Sequence, residues 1–142
     1  MEENICHCSK VRRASNAITK TYNKYLSPSG ISVSQFSLME HLTTLAPVTV
    51  SQLAIRCQLD RTTLVRNLKS LEESGYVSDI SETGVRKRQL LLTDLGREKL
   101  DFAETLWLEA QEYIKSSIGE SNLIALTDIL LKVEDACSDD CT

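Results

Sequence analysis

Two cysteines flank a histidine near the start of the chain, in the stretch NICHCSKVRRAS from Asn4 to Ser15. Thiolates and imidazoles bind soft metal ions, and the thiolate is also the form of cysteine that peroxides oxidise. Three interpretations are therefore open for Cys6, His7 and Cys8: a redox-sensitive thiol, a metal site, or small side chains that only pack. The other three cysteines are Cys57, Cys137 and Cys141.

Helical spacing separates the two N-terminal cysteines. Cys8 falls on the apolar face that continues through Ile18 and Tyr22, whereas Cys6 points elsewhere, so we expect Cys8 to be partly buried. A thiol near a helix N-terminus has a lowered pKa because the helix dipole favours the thiolate, and Arg12 would add to this effect if it approached. Since Cys-x-Cys is not the common Cys-x-x-Cys chelate spacing, we predict no metal and no cofactor.

A second group of residues has the chemistry of nucleic-acid recognition. In LDRTTLVRNLKSLEESGYV, a helix is predicted from Arg61 to Ser74, with Leu64, Leu68 and Leu71 along one face. The opposite face carries short hydroxyls and long cations, which are the side chains that contact bases and phosphates. These candidate DNA-binding residues are Thr62, Thr63, Arg66, Lys69 and Ser70.

The segments around this helix match the plan of a winged helix-turn-helix. Thr49 and Gln52 have the spacing of a capping box at the start of a short helix from Val50 to Cys57, and Asp60 is a good N-cap for the next helix. After Gly75, the extended patterns YVSDI and RQLLLT predict a β-hairpin. Its connection carries three cations that we expect to reach phosphates or the minor groove, Arg86, Lys87 and Arg88.

Helical patterns flank this central part on both sides. We predict an N-terminal helix within residues 5–26, a second helix that begins after Ser34 and ends before Pro47, a long helix from Thr93 to Gly119, and a last helix from about Ser121. The predicted fold is mainly α with a small β-hairpin wing. We expect a single domain over residues 1–142, with its DNA-binding part at 34–92. Because the two C-terminal helices carry more apolar residues than a small domain can cover, we expect segment 94–138 to mediate a homodimer.

Charge supports this assignment locally rather than globally. The net charge is −4, yet the segment from Arg56 to Arg88 has seven Lys and Arg against five Asp and Glu. The chain lacks a Gly-rich phosphate loop, an apolar pair of carboxylates and an acid-base partner for His41, so an enzyme is not predicted. It also lacks an apolar segment of ~20 residues, and we expect a cytoplasmic protein without a membrane partner. A winged domain that binds protein instead of DNA is the alternative class.

These motifs resemble the MarR family of transcription regulators over nearly the whole chain. The resemblance is carried by LSPSGISVSQFSLMEHL, TVSQLAIRCQLDRTTLVRNLKSLEESGYV and LLLTDLG. It implies a homodimer that is formed by segments 5–26 and 94–138 and acts as a repressor, with Asn67 joining Thr62, Thr63 and Arg66 toward the major groove and Arg86 in the wing. It also implies double-stranded DNA as the partner and leaves a small-molecule effector open. The family usually carries an Asp two residues before this arginine, where the chain has Gly84.

The N-terminal segment is similar to the organic-hydroperoxide-sensing branch of that family. CSKVRRASNAITKTYNKYLSPSGISVSQF aligns with it without a gap, and the resemblance places Cys8 on the reactive cysteine and Tyr22 on a tyrosine that contacts it. Two further tyrosines of that branch are replaced in this chain by Arg12 and Val33. The family dimer also implies that Cys137 or Cys141 could come near Cys6 and Cys8 and form a disulfide.

Overall fold

The computed structural model describes residues 5–82, 84 and 87–138, which form six α-helices and a two-stranded antiparallel sheet. This confirms the predicted fold class. The bounds are α1 His7–Leu26, α2 Val33–Leu45, α3 Val50–Cys57, α4 Arg61–Glu73, β1 Val77–Asp79, β2 Leu90–Leu92, α5 Asp94–Ile118 and α6 Glu120–Cys137. A single 3₁₀ turn, Ser27–Ser29, connects α1 to α2, and the left-handed Gly30 follows it.

Side-chain caps fix the start of the central helices. Thr49 and Gln52 form the predicted reciprocal capping box of α3, and the Asp60 carboxylate accepts a hydrogen bond from the Thr63 amide at the start of α4. The predicted start of α2 was wrong. That helix begins at Val33, because Ser32 and Gln35 form a second capping box.

One hydrophobic core holds the winged helix-turn-helix together. Leu64, Leu68 and Leu71 of α4 are at most 1% exposed and pack with buried residues of the neighbouring elements. The core also contains Leu38, Met39 and Leu42 of α2, Leu53 of α3, and Leu90 of β2. Burial of one face of α4 leaves its opposite face at the surface.

The wing is a short hairpin attached to the helices at its base. β1 pairs with β2 in antiparallel register, with Val77 opposite Leu92. Leu90 also exchanges two backbone hydrogen bonds with Val48, at 2.9 and 3.2 Å, which places the chain just before α3 beside the wing. The predicted strands are confirmed in position but are shorter than the sequence pattern suggested.

The joint between the wing and α5 is closely packed. The Thr93 hydroxyl donates to the Gly75 carbonyl at 2.6 Å and accepts from the Gly96 amide at 3.0 Å, so the predicted cap at Thr93 is confirmed. A Cβ added at Gly96 would clash with the backbone carbonyl oxygen of Tyr76 and lie 3.1 Å from a Leu92 methyl group. The absence of a side chain at Gly96 is therefore what allows α5 to start against the wing.

The chain divides into two compact units, residues 1–107 and 108–142, with the boundary inside α5. Within the second unit, none of the α6 residues is buried, and Ile124 and Leu131 are 64% and 54% exposed. The apolar residues of α6 lie on more than one face of the helix. None of the helices in the described part of the chain is long and apolar enough to cross a membrane.

Candidate nucleic-acid interface

Helix α4 presents the predicted polar face to solvent. Thr62, Arg66 and Lys69 are exposed, while Thr63 and Asn67 are half-buried at the edges of the face. Hydrogen bonds from Thr63 lower the pKa of Asp60, and the positive charge of Arg66 lowers it further. The start of α4 therefore carries an ionised cap next to a surface of hydroxyls, an amide and cations.

Ser70 connects this face to α2. Its hydroxyl oxygen accepts a hydrogen bond from Gln35 Nε2 at 3.1 Å. Gln35 also closes the capping box of α2 by accepting from the Ser32 amide through Oε1. One side chain thus links the start of α2 to the polar face of α4, a contact that spans 35 residues and has no local signal in the sequence.

The wing cations take different positions. Lys87 is exposed, whereas Arg86, predicted to reach the minor groove, lies outside the described residues. Arg88 differs from our prediction of a free cation at the tip. Its guanidinium forms an ion pair with Glu72 at the end of α4 and donates through Nε to Asp79 of β1 at 3.1 Å.

These contacts make Arg88 a bridge between α4 and the wing. The hydrogen bond to Glu72 is the largest of the effects that raise the pKa of Arg88. Asp79 also accepts hydrogen bonds from the amides of Ser81 and Gln89, and these bonds, those from Ser81 above all, hold its pKa well below the usual range of an aspartate. The Asp79 carboxylate therefore stays charged at neutral pH.

A cavity opens between the start of α3, the start of α4 and the base of the wing. Its volume is about 290 Å³. Arg61, Lys87 and Arg88 line it together with residues 49–52. Arg61 Nη1 donates to the Ser51 hydroxyl at 3.3 Å. We did not predict Ser51 or Arg61 as contact residues. Arg61 could have been predicted from the sequence, because it directly follows the N-cap of the recognition helix.

The N-terminal cysteines differ from the prediction. Cys8 is exposed in this single chain rather than partly buried, because all residues of α1 from His7 to Ala17 are exposed. Arg12 does approach Cys8, with Nη2 3.7 Å from Sγ. The pKa of Cys6, the N-cap residue of α1, is lowered by the Ser9 side chain first and by the amides of Ser9 and Cys8 next.

The remaining redox candidates are scattered over the chain. Burial raises the pKa of Tyr22 and of Cys57, and Cys57 packs against the core. Cys137 is exposed at the end of α6, and Cys141 lies outside the described residues. Within the described ranges, no group of three or more His, Cys, Asp or Glu side chains is arranged to hold a metal ion. His41 hydrogen-bonds through Nδ1 to the Ser37 carbonyl of its own helix.

Comparison with known proteins agrees with this geometry. A model of the MarR family matches residues 29–88. The chain is 30% identical to the transcriptional regulator MosR of M. tuberculosis, whose crystal structure in complex with DNA matches with a TM-score of 0.79 over 95% of this chain and 100% of that one. An uncharacterised HTH-type transcriptional regulator of Bacillus subtilis, YwoH, is 23% identical over 84% of this chain and 88% of its own.

A third similar protein has been solved with two different ligands. The transcriptional repressor CouR, bound to a 23-mer DNA duplex, matches with a TM-score of 0.81 at 22% identity, over 90% of this chain and 92% of that one. CouR bound to p-coumaroyl-CoA matches with a TM-score of 0.82 at 21% identity, over 94% of each chain. At this level of identity the likeness concerns the fold.

Fold and surface together define a winged helix-turn-helix protein that binds DNA and regulates transcription. The buried leucine face of α4, the capped α3 before it and the hairpin after it are the parts that this class requires. The chain belongs to the MarR family of transcriptional regulators.

Proposed function

We propose that the protein is a repressor that binds a pseudo-palindromic operator as a homodimer, with α4 of each protomer in the major groove. The observation that carries this proposal is the two-sided character of α4, whose leucines are buried while its hydroxyls and cations are exposed. A recognition helix needs both sides, because one side holds it on the domain and the other reads the bases.

The residues of α4 divide into two roles in this proposal. Thr62, Thr63, Arg66 and Asn67 face the base edges, with Arg66 suited to the paired acceptors of a guanine. Lys69 and Ser70 lie further along the helix and contact phosphates, which position the protein without reading sequence. The hydrogen bond from Gln35 fixes the Ser70 hydroxyl for that contact.

In the wing, we assign Arg86 to the minor groove and Lys87 to a phosphate. Arg88 has a different role, because Glu72 and Asp79 already balance its charge. It holds the wing at a fixed angle to α4. This bridge suits a wing whose connection contains Gly84 with φ of 89°, since a glycine leaves the backbone there with few steric restraints.

The dimer is supported by the apolar residues that a single chain leaves uncovered. In the C-terminal unit, large apolar side chains of α6 are 37% to 64% exposed, and the first half of α1 is exposed as well. Exposed apolar surface of this extent marks an interaction site. We assign residues 34–92 to DNA binding and residues 5–26 and 94–138 to dimerisation. The two recognition helices of such a dimer would contact half-sites about 10 base pairs apart.

Regulation by cysteine oxidation is the second part of the proposal. The thiolate of Cys6 or Cys8 would attack an organic hydroperoxide, giving a sulfenic acid and an alcohol. Condensation with the thiol of Cys137 or Cys141 would then release water and form a disulfide. The lowered pKa of Cys6 supports this chemistry because it favours a reactive thiolate, and the Arg12 guanidinium lies 3.7 Å from Cys8 Sγ. A small aromatic ligand, or a metal at the terminal cysteines, is the alternative signal; CouR bound to p-coumaroyl-CoA is a precedent for a ligand on this fold.

A gel shift tests the DNA-binding assignment. The probe is DNA from upstream of the protein's own gene, and the variant Arg66→Ala/Arg86→Ala is compared with Lys20→Ala/Lys24→Ala, which removes two exposed cations of α1. We expect the first variant to lose binding and the second to retain it. Equal affinity of both variants and the wild type would refute the assignment.

Oxidation is tested on the same probe. Reduced protein, protein treated with cumene hydroperoxide, and the treated variants Cys6→Ser and Cys8→Ser are compared. If peroxide releases the wild type from the DNA while one variant stays bound, the cysteine replaced in that variant is the sensing thiol. If the treated wild type binds as tightly as the reduced protein, neither cysteine senses peroxide, and the signal must be a ligand or a metal.

A further inference from the structure

The cavity beside the start of α3 combines groups from three elements. Ser51 comes from the first turn of α3, Arg61 from the first residue of α4, and Lys87 from the wing. The paired backbone of Val48 and Leu90 brings the first and the last of these elements together. Three separate parts of the winged helix-turn-helix therefore converge on one site of about 290 Å³.

The electrostatics of this cavity favour an anion. Within the described part of the chain, none of the lining residues is acidic, and neither Arg61 nor Lys87 forms an ion pair. Arg88 also lines the cavity, but its charge is balanced by Glu72 and Asp79. The uncompensated charge is therefore that of Arg61 and Lys87.

Hydrogen-bond donors at the same place add to this preference. The capping box of α3 uses the amides of Thr49 and Gln52, at 3.0 and 3.2 Å from their acceptors. The amides of Val50 and Ser51 have no partner inside the helix, since the first turn of any helix lacks acceptors for them. The Ser51 hydroxyl accepts from Arg61, which holds the guanidinium at the cavity and leaves the hydroxyl hydrogen for a further acceptor.

We infer that this cavity is a binding site for a backbone phosphate of double-stranded DNA, held by Arg61, Lys87 and the Ser51 hydroxyl. The inference rests on the proposed function. A phosphate fits these groups because arginine, lysine, hydroxyls and helix amides are the usual protein donors to phosphate oxygens. The site lies between α3, α4 and the wing, so a phosphate bound there would fix the height and angle at which α4 enters the groove.

The test is a salt titration of DNA affinity. Fluorescence anisotropy with a labelled duplex from upstream of the protein's own gene is measured for the full-length wild type, for Arg61→Gln, and for Arg13→Gln, which removes an exposed arginine of α1. We expect Arg61→Gln to weaken binding about tenfold, as for loss of a charged hydrogen bond, and to lower the slope of log K against log salt by about 0.9 per site. Arg13→Gln, compared at concentrations at which size-exclusion chromatography shows the same oligomeric state as the wild type, should change neither quantity.

Ethylation interference on the same duplex separates a contact from a folding defect. Arg61→Gln should lose the interference signal at one phosphate in each half-site and keep it at the others. The milder variant Ser51→Ala should weaken the signal at the same phosphate. An unchanged slope, or a uniform loss of signal at all phosphates, would overturn the inference.

Three further outcomes distinguish this inference from the proposed function. If the wild type binds no duplex, the proposed function fails and this site fails with it. If the wild type binds and Arg61→Gln binds equally well, only this site is refuted. Saturable binding of inorganic phosphate at constant ionic strength, lost in Arg61→Gln without any change in DNA affinity, would assign the cavity to a free anion and overturn the DNA contact.

Discussion

The bridge from α4 to the wing through Arg88 can be tested with one substitution. Two interpretations of Arg88 predict opposite effects of that substitution on DNA affinity. If Arg88 holds the wing, Glu72→Gln removes a partner of the bridge and weakens DNA binding. If Arg88 instead contacts a phosphate, Glu72→Gln removes a nearby negative charge and strengthens binding. Our structure supports the first account, because the guanidinium contacts both Glu72 and Asp79.

The expected loss of DNA affinity depends on how exposed the ion pair between Arg88 and Glu72 is. The side chains of Arg88 and Glu72 are 38% and 29% exposed, so solvent screens their attraction. An ion pair of this kind contributes about 0.5 to 1 kcal/mol. If this ion pair stabilises the wing in its DNA-binding position by that full amount, its removal lowers the affinity of one protomer for DNA about two- to fivefold.

Anisotropy titrations at several salt concentrations measure both affinity and salt slope. We expect Glu72→Gln and Arg88→Gln to weaken binding by similar factors with the salt slope unchanged. Glu73→Gln is the matched control, since Glu73 is the exposed neighbour of Glu72 and forms no ion pair within the described residues. Tighter binding by Glu72→Gln, or a slope reduced by about 0.9 per site in Arg88→Gln, would refute the bridge.

Three further predictions concern the joint, the wing and the thiols. Gly96→Ala should destabilise the protein by about 1 to 3 kcal/mol despite the better helix propensity of alanine, because its Cβ would clash with the Tyr76 carbonyl; a higher melting temperature would contradict this packing. The lowered pKa of Asp79 means that its contribution to stability is present above the unfolded value of about 3.9 and is lost as pH falls below it. Acid titrations of Asp79→Asn should thus show a weaker loss of stability below that pH, and a curve parallel to the wild type would be inconsistent with hydrogen bonding as the cause of the lowered pKa. At neutral pH, iodoacetamide should alkylate Cys6 well before Cys57, since hydrogen bonds lower the pKa of one thiol and burial raises that of the other; peptide mapping that finds the opposite order would count against both assignments.

Local interactions made much of the fold predictable. The caps at Thr49, Asp60 and Thr93 bond to amides within three residues, so their spacing in the sequence is sufficient to locate them. The leucine spacing of α4 likewise determines its buried face. The start of α2 was missed although Ser32 and Gln35 have the same capping-box spacing as Thr49 and Gln52.

Side-chain contacts between residues far apart in the chain could not be predicted from the sequence. The contacts of Arg88 with Glu72 and Asp79 form only after the hairpin folds back on α4, so the cation run at residues 86–88 carried no sign that one member is engaged. The convergence of Ser51 with Arg61 depends on how α3 packs against α4.

The expected partial burial of Cys8 is not found in the single chain for a different reason. Helical periodicity placed Cys8 on an apolar face, but burial needs a second surface, and a single chain provides none along the first half of α1. The pKa of Cys6 is lowered because Cys6 lies one residue before the helix, next to the side chain and the amide of Ser9.

The most direct test of the central claim, that α4 reads the major groove, is guanine-N7 methylation protection on DNA from upstream of the protein's own gene. N7 lies in the major groove, so protection there reports a contact by an inserted element. We predict two protected clusters about 10 base pairs apart, with protection of specific guanines lost in Arg66→Ala at protein concentrations that still saturate the DNA. Saturated binding without N7 protection, or protection unchanged in Arg66→Ala, would contradict the role assigned to α4.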